Sequence, residues 1–505
     1  LIGERLGDPV PAFRGRRHDE GALITLEGAV VEYEAVVAVG PLADQVVAGR
    51  AQLRQAGVVN HQVVRGPGDG GSLPVWCVAQ HTEGVNPVPE AAAIRVRRSG
   101  PLEGTVRVSG AKNSALKLMA AALLAPGRSV LHNVPRIADV TWMGELLERM
   151  GCTVVREGGT ATIDVPDDVV PEAPYELVER MRASIVVLGP LLGRLGEARV
   201  SVPGGDDFGH RPIDMHLKGL EELGAEFTTS HGYIEARADN LTGARVLLEF
   251  PSVGATENLL MASVLAEGTT IIDNAAREPE IADLASFLNR MGAVVTGAGT
   301  STITVEGVER LDPVEHTVVA DRVEAATYLA AVGIAGGEVT VEGARADHMD
   351  MLLTKLDEMG MRVSPTSDGL RATAPGRLRS LDVSTLPYPG VATDYQPFVV
   401  AMLSVADGVG IVTENIFGGR FRTIDELLRM GADIRAEGHH VVIRGVEVLS
   451  GAPVRAPDIR AGAALVVAGL AAEGDTLVGD AHHVARGYED LVGRLASLGA
   501  DIAYE

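Results

Sequence analysis

Residues 279–306 read PEIADLASFLNRMGAVVTGAGTSTITVE and hold the unit from which most of this chain is built. Apolar residues recur at helical spacing as far as Met291, and Gly292 stands where a helix C-cap is expected. Two short alternating segments, residues 293–296 and 300–305, then predict a pair of strands. The stretch therefore predicts a helix, a glycine stop and a strand pair.

The same pattern returns along the chain from about residue 92. A helix ending in Met-Gly or Leu-Gly occurs six times, and its glycines lie at positions 151, 224, 292, 360, 431 and 499, at intervals of 73, 68, 68, 71 and 68 residues. Before most of these helices come a strand (as at 129–134, 269–274 and 338–342) and an apolar helix (113–124, 257–266 and 324–335). The sequence thus predicts an α/β fold of six repeats, each about 70 residues long.

One such repeat has too little apolar surface to be stable alone, so the repeats must pack on one another. Three repeats per lobe is the natural division, with a crossing near residues 310–320. Asp321 and Glu324 begin a helix there with a capping-box pattern. Residues 1–91 precede the first repeat, and we predict them to be an N-terminal extension of unknown role.

Composition limits the classes of function. A net charge of −24 argues against a nucleic-acid or anionic-membrane partner. Two cysteines, Cys77 and Cys152, provide neither a disulfide framework nor a metal site. The sequence shows no signal peptide and no apolar run near the roughly 18 residues that a membrane span needs, which predicts a cytoplasmic protein.

A glycine-rich acidic loop, residues 203–209, is the first candidate for chemistry. It carries Asp206 and Asp207 and is followed by Arg211 and Pro212. A mobile acidic loop beside an arginine predicts a lid over an anionic substrate, and the alternative is an ordinary surface turn.

Lys112 and Asn113 lie at the start of an apolar helix. A lysine is unfavourable beside the positive end of a helix dipole, and an anion bound to the free N–H groups there would offset the cost. The alternative is a solvated surface lysine.

Arginines in turn or helix-entry positions occur in different repeats, so a two-lobed fold can bring them together in one cleft. They are Arg182, Arg211, Arg420, Arg460 and Arg486. Asp394 precedes an apolar helix and is either an N-cap or a general base. The segment Glu278-Pro279-Glu280 is ambiguous in the same way.

At this point residues 94–505 show a family resemblance, carried by many segments in one order. These are Ser109-Gly110-Ala111-Lys112-Asn113, Asn133-Val134-Pro135, Met181-Arg182-Ala183-Ser184, Pro203-Gly204-Gly205, Arg211-Pro212-Ile213-Asp214-Met215-His216, Ser252-Val253-Gly254-Ala255-Thr256, Ala276-Arg277-Glu278-Pro279-Glu280, Thr393-Asp394, Asp458-Ile459-Arg460 and Arg486-Gly487-Tyr488-Glu489. Together they resemble the UDP-N-acetylglucosamine enolpyruvyl (1-carboxyvinyl) transferases. The resemblance implies two inside-out α/β barrel lobes, residues 112–318 and residues 92–111 with 319–505.

The resemblance also implies roles for single residues. Lys112, Arg211 and Arg486 correspond to the clamp on phosphoenolpyruvate, and Arg182, Arg420 and Arg460 to further cleft arginines. Asp394 corresponds to the base that deprotonates the attacking sugar hydroxyl. Contacts to the uridine nucleotide sugar correspond to Asn113, Arg211, Ile213, Asp214, Met215, Ser252, Val253 and Gly254, and Asp458 is a further substrate-binding candidate.

Asp206 stands at the lid position that is most often cysteine in this family. Some members carry aspartate there, so we expect Asp206 to be the acid that protonates C3 of phosphoenolpyruvate. The implied reaction uses no metal or redox cofactor, and it opens peptidoglycan precursor synthesis. Two alternatives stay open: another acceptor, such as a uridine nucleotide of secondary metabolism or shikimate 3-phosphate, and a non-catalytic paralogue that kept the fold.

Overall fold

The computed structural model describes residues 92–204 and 212–505, together with the backbone of five short strands nearer the N-terminus. Those strands form a three-stranded antiparallel sheet, Arg16–His18, Gly21–Leu26 and Tyr33–Val37, and a pair, His61–Val64 with Val75–Val78. Residues 1–83 and 84–505 are two compact units. The rest of the predicted extension lies outside the described residues, as do Asp206, Asp207 and Arg211.

Among its described residues, the second unit contains six four-stranded sheets. In all six an edge strand pairs parallel with its neighbour, and the two remaining pairings are antiparallel. Three of the sheets have the strand orders Glu315–Thr317, Gly127–His132, Thr160–Val165, Thr153–Glu157; Glu172–Ala173, Glu197–Ser201, Tyr233–Arg237, Glu226–Ser230; and Arg245–Leu247, Thr269–Asp273, Thr302–Glu306, Val294–Thr296.

The other three sheets are built from residues 337–504, and two of them also include an earlier strand, Leu102–Arg107 or Ile94–Arg97. Their orders are Arg362–Pro365, Gly369–Ala374, Gly337–Glu342, Leu102–Arg107; Val383–Ser384, Val409–Thr413, His440–Arg444, Asp433–Glu437; and Pro453–Arg455, Asp475–Gly479, Ile94–Arg97, Ile502–Tyr504. A two-stranded parallel sheet, Leu449–Ser450 with Ala472–Glu473, lies beside them in sequence.

The helices of residues 92–204 and 212–505 are numbered α1 to α14 in chain order. They are α1 Lys112–Ala121, α2 Ala138–Arg149, α3 Tyr175–Val178, α4 Leu188–Leu195, α5 Asp214–Glu222, α6 Val253–Ser263, α7 Pro279–Arg290, α8 Arg322–Ala335, α9 Asp350–Met359, α10 Gln396–Val405, α11 Thr423–Arg429, α12 Ile459–Gly469, α13 His482–Ala485 and α14 Leu491–Ser497. Short 3₁₀ turns occur at Ala122–Leu124, Arg182–Val187, Ala346–His348, Thr393–Tyr395 and Gly418–Arg422. No helix of the described residues is both long and apolar enough to span a bilayer.

The six glycines that set the repeat all have a left-handed backbone. Their φ angles are 100°, 96°, 105°, 103°, 82° and 98° in chain order, values that a residue with a Cβ adopts only with strain. Each glycine directly follows the last residues of a helix and precedes a strand, so the predicted helix stops are confirmed.

Two hydrophobic cores lie in the second unit. The first core contains buried residues between 115 and 318, and the second core contains residues 94–108 and 323–502. Helix α8 begins the return to the second core. The Asp321 carboxylate caps it by accepting hydrogen bonds from the backbone N–H groups of Val323 (2.8 Å) and Glu324 (3.1 Å). The Glu324 carboxylate accepts from the backbone N–H of Ser109 (2.8 Å), so only half of the predicted capping box is formed.

Candidate active site

A cavity of about 580 Å³ is lined by residues from both parts of the chain that form the two cores, and many of them lie at or near the start of a helix. Its basic side chains are Lys112, Lys117, Arg182, Arg322, Arg420, Arg460 and Arg486, and its acidic ones are Asp139, Glu257, Glu278, Glu280, Asp394 and Asp458. Seven basic groups against six acidic groups leave a small positive excess there, although the whole chain carries a net charge of −24. The cavity is therefore suited to an anionic ligand.

Lys112 and Arg486 meet on one buried carboxylate. The Asp139 side chain is 2% exposed, and its Oδ2 lies 3.1 Å from Lys112 Nζ while its Oδ1 accepts from Arg486 Nε at 3.0 Å. The Arg486 guanidinium also lies 5.4 Å from the ring centroid of Trp142. One negative charge between two positive charges leaves a net positive site, which an incoming phosphate or carboxylate can neutralise.

The start of α1 differs from the prediction in one respect. The backbone N–H of Lys112 donates to Asp321 Oδ2 at 3.1 Å, so this group is not free for a ligand. Carboxylates of the chain itself, Asp321 and Asp139, supply the negative charge that offsets a lysine at a helix N-terminus. Asn113 follows in the first turn and lines the cavity.

Asp394 is held between two arginines. It lies in the 3₁₀ turn that precedes α10, and its side chain makes no capping hydrogen bond, so the N-cap alternative is wrong. Its Oδ1 accepts from Arg420 Nη2, and its Oδ2 lies 3.8 Å from Arg460 Nη2. Burial alone would raise the pKa of Asp394, but Arg420 and Arg460 outweigh it and hold the pKa well below its usual range.

Residues near the first turn of α6 form another wall. Ser252 caps α6 by accepting from the backbone N–H of Ala255 (3.3 Å), and Val253 and Gly254 follow it. These three residues and Met215 line the cavity. Ile213, which precedes α5, and Asp214, its first residue, do not belong to the lining.

Two further predicted residues line the cavity with structural partners. Asp458 is the N-cap of α12, and its Oδ1 accepts from the backbone N–H groups of Arg460 (2.8 Å) and Ala461 (3.0 Å). Arg182 begins the 3₁₀ turn Arg182–Val187, and its Nη2 lies 3.5 Å from the carbonyl oxygen of Pro212. Burial lowers the pKa of Arg182.

The sequence did not point to two buried ion pairs of the cavity. Arg322 of α8 donates to both carboxylate oxygens of Glu280 in α7, with Nε at 3.0 Å and Nη2 at 3.2 Å. Lys117 Nζ of α1 lies 3.1 Å from Glu257 Oε2 of α6. Burial raises the pKa of Glu257 to about 7 against the opposing effect of Lys117. A single charge inside an otherwise apolar helix is the signal that could have found Lys117 and Glu257.

Similar proteins support an enzymatic reading of the cavity. The model of the EPSP synthase (3-phosphoshikimate 1-carboxyvinyltransferase) family matches residues 96–495. A UDP-N-acetylglucosamine 1-carboxyvinyltransferase of Corynebacterium jeikeium is 52% identical over 401 residues, which cover 79% of this chain and 96% of that protein. A protein of the same name from Gluconacetobacter diazotrophicus is 54% identical over 404 residues, with the same two coverages of 79% and 96%.

Solved structures agree on the fold. The enolpyruvyl transferase NikO from Streptomyces tendae matches with a TM-score of 0.74 and 27% identity, covering 82% of this chain and 99% of that one. An EPSP synthase from Acinetobacter baumannii matches with a TM-score of 0.65 over 82% of this chain and all of its own. Its 18% identity shows a shared fold alone.

Proposed function

Because the chain belongs to the UDP-N-acetylglucosamine 1-carboxyvinyltransferase family, we propose that it transfers the enolpyruvyl group of phosphoenolpyruvate to the 3-hydroxyl of UDP-N-acetylglucosamine, with release of phosphate. The observation that carries this proposal is the pairing of Lys112 and Arg486 on Asp139 in the same cavity as Asp394. The reaction is the one that opens peptidoglycan precursor synthesis in the family, and we place it in the cytoplasm.

The donor site is the cationic pair. Lys112 and Arg486 bind the phosphate and carboxylate of phosphoenolpyruvate, and they compensate negative charge as it shifts to the leaving phosphate. Arg182, Arg420 and Arg460 extend the positive field around them. By sequence resemblance Arg211 completes this clamp.

The acceptor hydroxyl is activated by Asp394. The sugar oxygen attacks C2 of phosphoenolpyruvate, its proton passes to Asp394, and C3 gains a proton to give a tetrahedral ketal. Loss of phosphate from C2 and of a proton from C3 then restores the double bond. While Arg420 and Arg460 hold Asp394, its low pKa makes it a weak base. Substrate anions that draw these arginines away make Asp394 more basic at the moment of reaction.

Asp206 is assigned as the acid toward C3, on sequence resemblance alone. The nucleotide sugar is assigned to the wall that carries Asn113, Met215, Ser252, Val253 and Gly254, with Asp458 as a further contact. Ile213 and Asp214 are assigned as contacts on sequence resemblance alone. A helix N-terminus capped by serine suits a diphosphate.

The finer architecture is part of the proposal. We assign residues 112–318 to one lobe and residues 92–111 with 319–505 to the other, each an inside-out barrel of three repeats. The two hydrophobic cores and the six similar sheets support this division.

One assay tests the acceptor. Phosphate release from phosphoenolpyruvate is measured with UDP-N-acetylglucosamine, UMP and shikimate 3-phosphate as separate acceptors. We expect turnover with the nucleotide sugar. Turnover with UMP or shikimate 3-phosphate instead would replace the acceptor, and release with none of the three would refute the enzymatic proposal.

A further inference from the structure

His216 lies in the wall of the cavity to which the nucleotide sugar is assigned, and the proposed reaction gives it no role. It lies in α5, is 6% exposed and belongs to the cavity lining. Its Nδ1 has a partner, the side-chain amide of Asn258 at 2.8 Å. Among residues 92–204 and 212–505, the hydrogen bond of its ring is the one at Nδ1, and none involves Nε2. A nearly buried ring therefore offers one polar atom to the cavity.

Asn258 decides which nitrogen of His216 carries the proton. The backbone N–H of Gly189 donates to Asn258 Oδ1 at 2.7 Å, which identifies that end of the amide as the oxygen. The other end, Nδ2, donates to the carbonyl of Ile185 at 3.2 Å and must also donate to His216 Nδ1. Because Nδ1 accepts, the proton of the neutral ring resides on Nε2.

The surroundings keep the ring neutral. Burial and then the positive charge of Arg182 lower the pKa of His216 to about 4, with Lys117 acting in the same direction. Asp214, on the same helix, opposes them weakly, and Glu257 of α6 is paired with Lys117. Near neutral pH His216 Nε2 is consequently a hydrogen-bond donor and cannot accept.

This donor lies against the first turn of α6. A Cβ atom placed on Gly254 would come within 2.8 Å of His216 Cε1 and 3.0 Å of Nε2, so glycine is required for the ring to approach the helix. The N–H groups of Val253 and Gly254 belong to the first turn, where a helix has no acceptor of its own for them. The imidazole N–H and the N–H groups of this turn are all hydrogen-bond donors, so a ligand bound there must supply acceptor oxygens.

We infer that His216 binds the acceptor substrate by donating its Nε2–H to an oxygen of the nucleoside diphosphate, and that Asn258 is the positioning residue that holds its tautomer. This inference rests on the proposed function, because it names a further contact of the same nucleotide sugar. It adds a neutral donor to a site otherwise supplied with arginine, lysine and backbone groups.

Calorimetry on the full chain tests the contact. His216→Leu removes the donor at similar size, and we expect the Kd for UDP-N-acetylglucosamine and for UDP to rise about ten- to a hundredfold, as for a lost hydrogen bond to a charged group. The KM for phosphoenolpyruvate should stay within about twofold. His216→Gln restores an N–H near the Nε2 position and should recover much of the loss. His316→Gln is the matched control: His316 is also 6% exposed but pairs with Asp283 outside the cavity, and its substitution should leave both Kd values unchanged.

Asn258→Asp tests the tautomer through pH. A carboxylate beside Nδ1 raises the pKa of His216, so the charged ring donates from Nε2 at low pH. Above the raised pKa the remaining proton stays on Nδ1, and Nε2 loses its proton. Binding of UDP-N-acetylglucosamine should therefore weaken as pH rises in this variant alone, since both phosphates of that ligand are diesters that remain ionised.

The outcomes separate the two proposals. If the unmodified chain does not bind UDP-N-acetylglucosamine, the proposed function fails. If it binds and a folded His216→Leu protein binds equally well, or loses affinity for the nucleotide sugar but not for UDP, the inference fails alone. A pH profile of Asn258→Asp parallel to that of the unmodified chain would also overturn it.

Discussion

Replacing Asp139 by asparagine tests the bridge between Lys112 and Arg486. At an effective dielectric constant of about 20, each unit-charge contact near 3 Å corresponds to roughly 5 kcal/mol of gross Coulomb attraction. Most of this is offset by the cost of removing the three charges from water. Breaking a buried pair on one side nevertheless costs about 3–5 kcal/mol, because the remaining charges stay buried. We expect Asp139→Asn to lower the free energy of unfolding by about 3 kcal/mol, near the lower limit of this range, since asparagine retains one acceptor oxygen.

Urea unfolding followed by tryptophan fluorescence, in buffer without phosphate, measures this loss. Asp164→Asn is the matched control. It breaks a contact of similar length, Arg128 Nε to Asp164 Oδ1 at 2.9 Å, but those side chains are 68% and 37% exposed. For such a surface pair we expect a loss below about 1 kcal/mol.

Phosphate provides the second measurement. With Asp139 neutral, Lys112 and Arg486 lack their counter-charge, so inorganic phosphate should bind the variant more tightly and restore much of its lost stability. Turnover should fall, because the two cations no longer have a fixed spacing. The reasoning is refuted if Asp139→Asn loses no more stability than Asp164→Asn and binds phosphate no more tightly than the unmodified chain.

Four further predictions concern single perturbations. Lys112→Ala should abolish phosphate release while the far-UV circular dichroism stays unchanged, and near-normal turnover would remove Lys112 from the mechanism. The folded pKa of Asp394 lies below its unfolded value of about 3.9, so its contribution to stability is present above that pH and lost as pH falls toward the folded pKa. Asp394→Asn should flatten this segment of an acid-unfolding curve, and an identical curve would contradict the arginine pairing. Asp206→Cys should make the enzyme sensitive to the epoxide fosfomycin, which alkylates the lid cysteine in this family. The unmodified chain should resist fosfomycin, because a carboxylate is a weak nucleophile. Rapid inactivation of the unmodified chain would count against Asp206 as the lid acid. A chain beginning near Pro89 should keep full turnover, and a soluble but inactive truncation would show that the extension contributes to the site.

The helix ends could be predicted because their signal is local. Backbone strain restricts left-handed positions mostly to glycine, so Gly151 and its five counterparts identify the helix ends without tertiary information. Helix starts were less accurate. The helix predicted from residue 257 begins four residues earlier, at Val253, because Ser252 caps it there.

Partners of the site residues could not be predicted, since they come from distant parts of the chain. Asp139 in the first turn of α2 is typical of any helix and gives no sign of Arg486, which is 347 residues away. Asp394 fitted an N-cap and a base equally well until its two arginines were located. Similarly, the role of Asn258 depends on three groups that meet only in the folded chain.

The strand Ile94–Arg97 lies between Asp475–Gly479 and Ile502–Tyr504 in one sheet. Arg95 and Asp501, joined by a hydrogen bond across this sheet, are 406 residues apart. During synthesis the first core can form as soon as residue 318 has left the ribosome, but the second core is complete only after residue 502 has been made. The strand Ile94–Arg97 therefore remains without its neighbours until Asp475–Gly479 and Ile502–Tyr504 have been made, whereas Leu102–Arg107 pairs with the earlier strand Gly337–Glu342. Loss of residues 502–504 should leave one edge of Ile94–Arg97 unpaired and prone to aggregation.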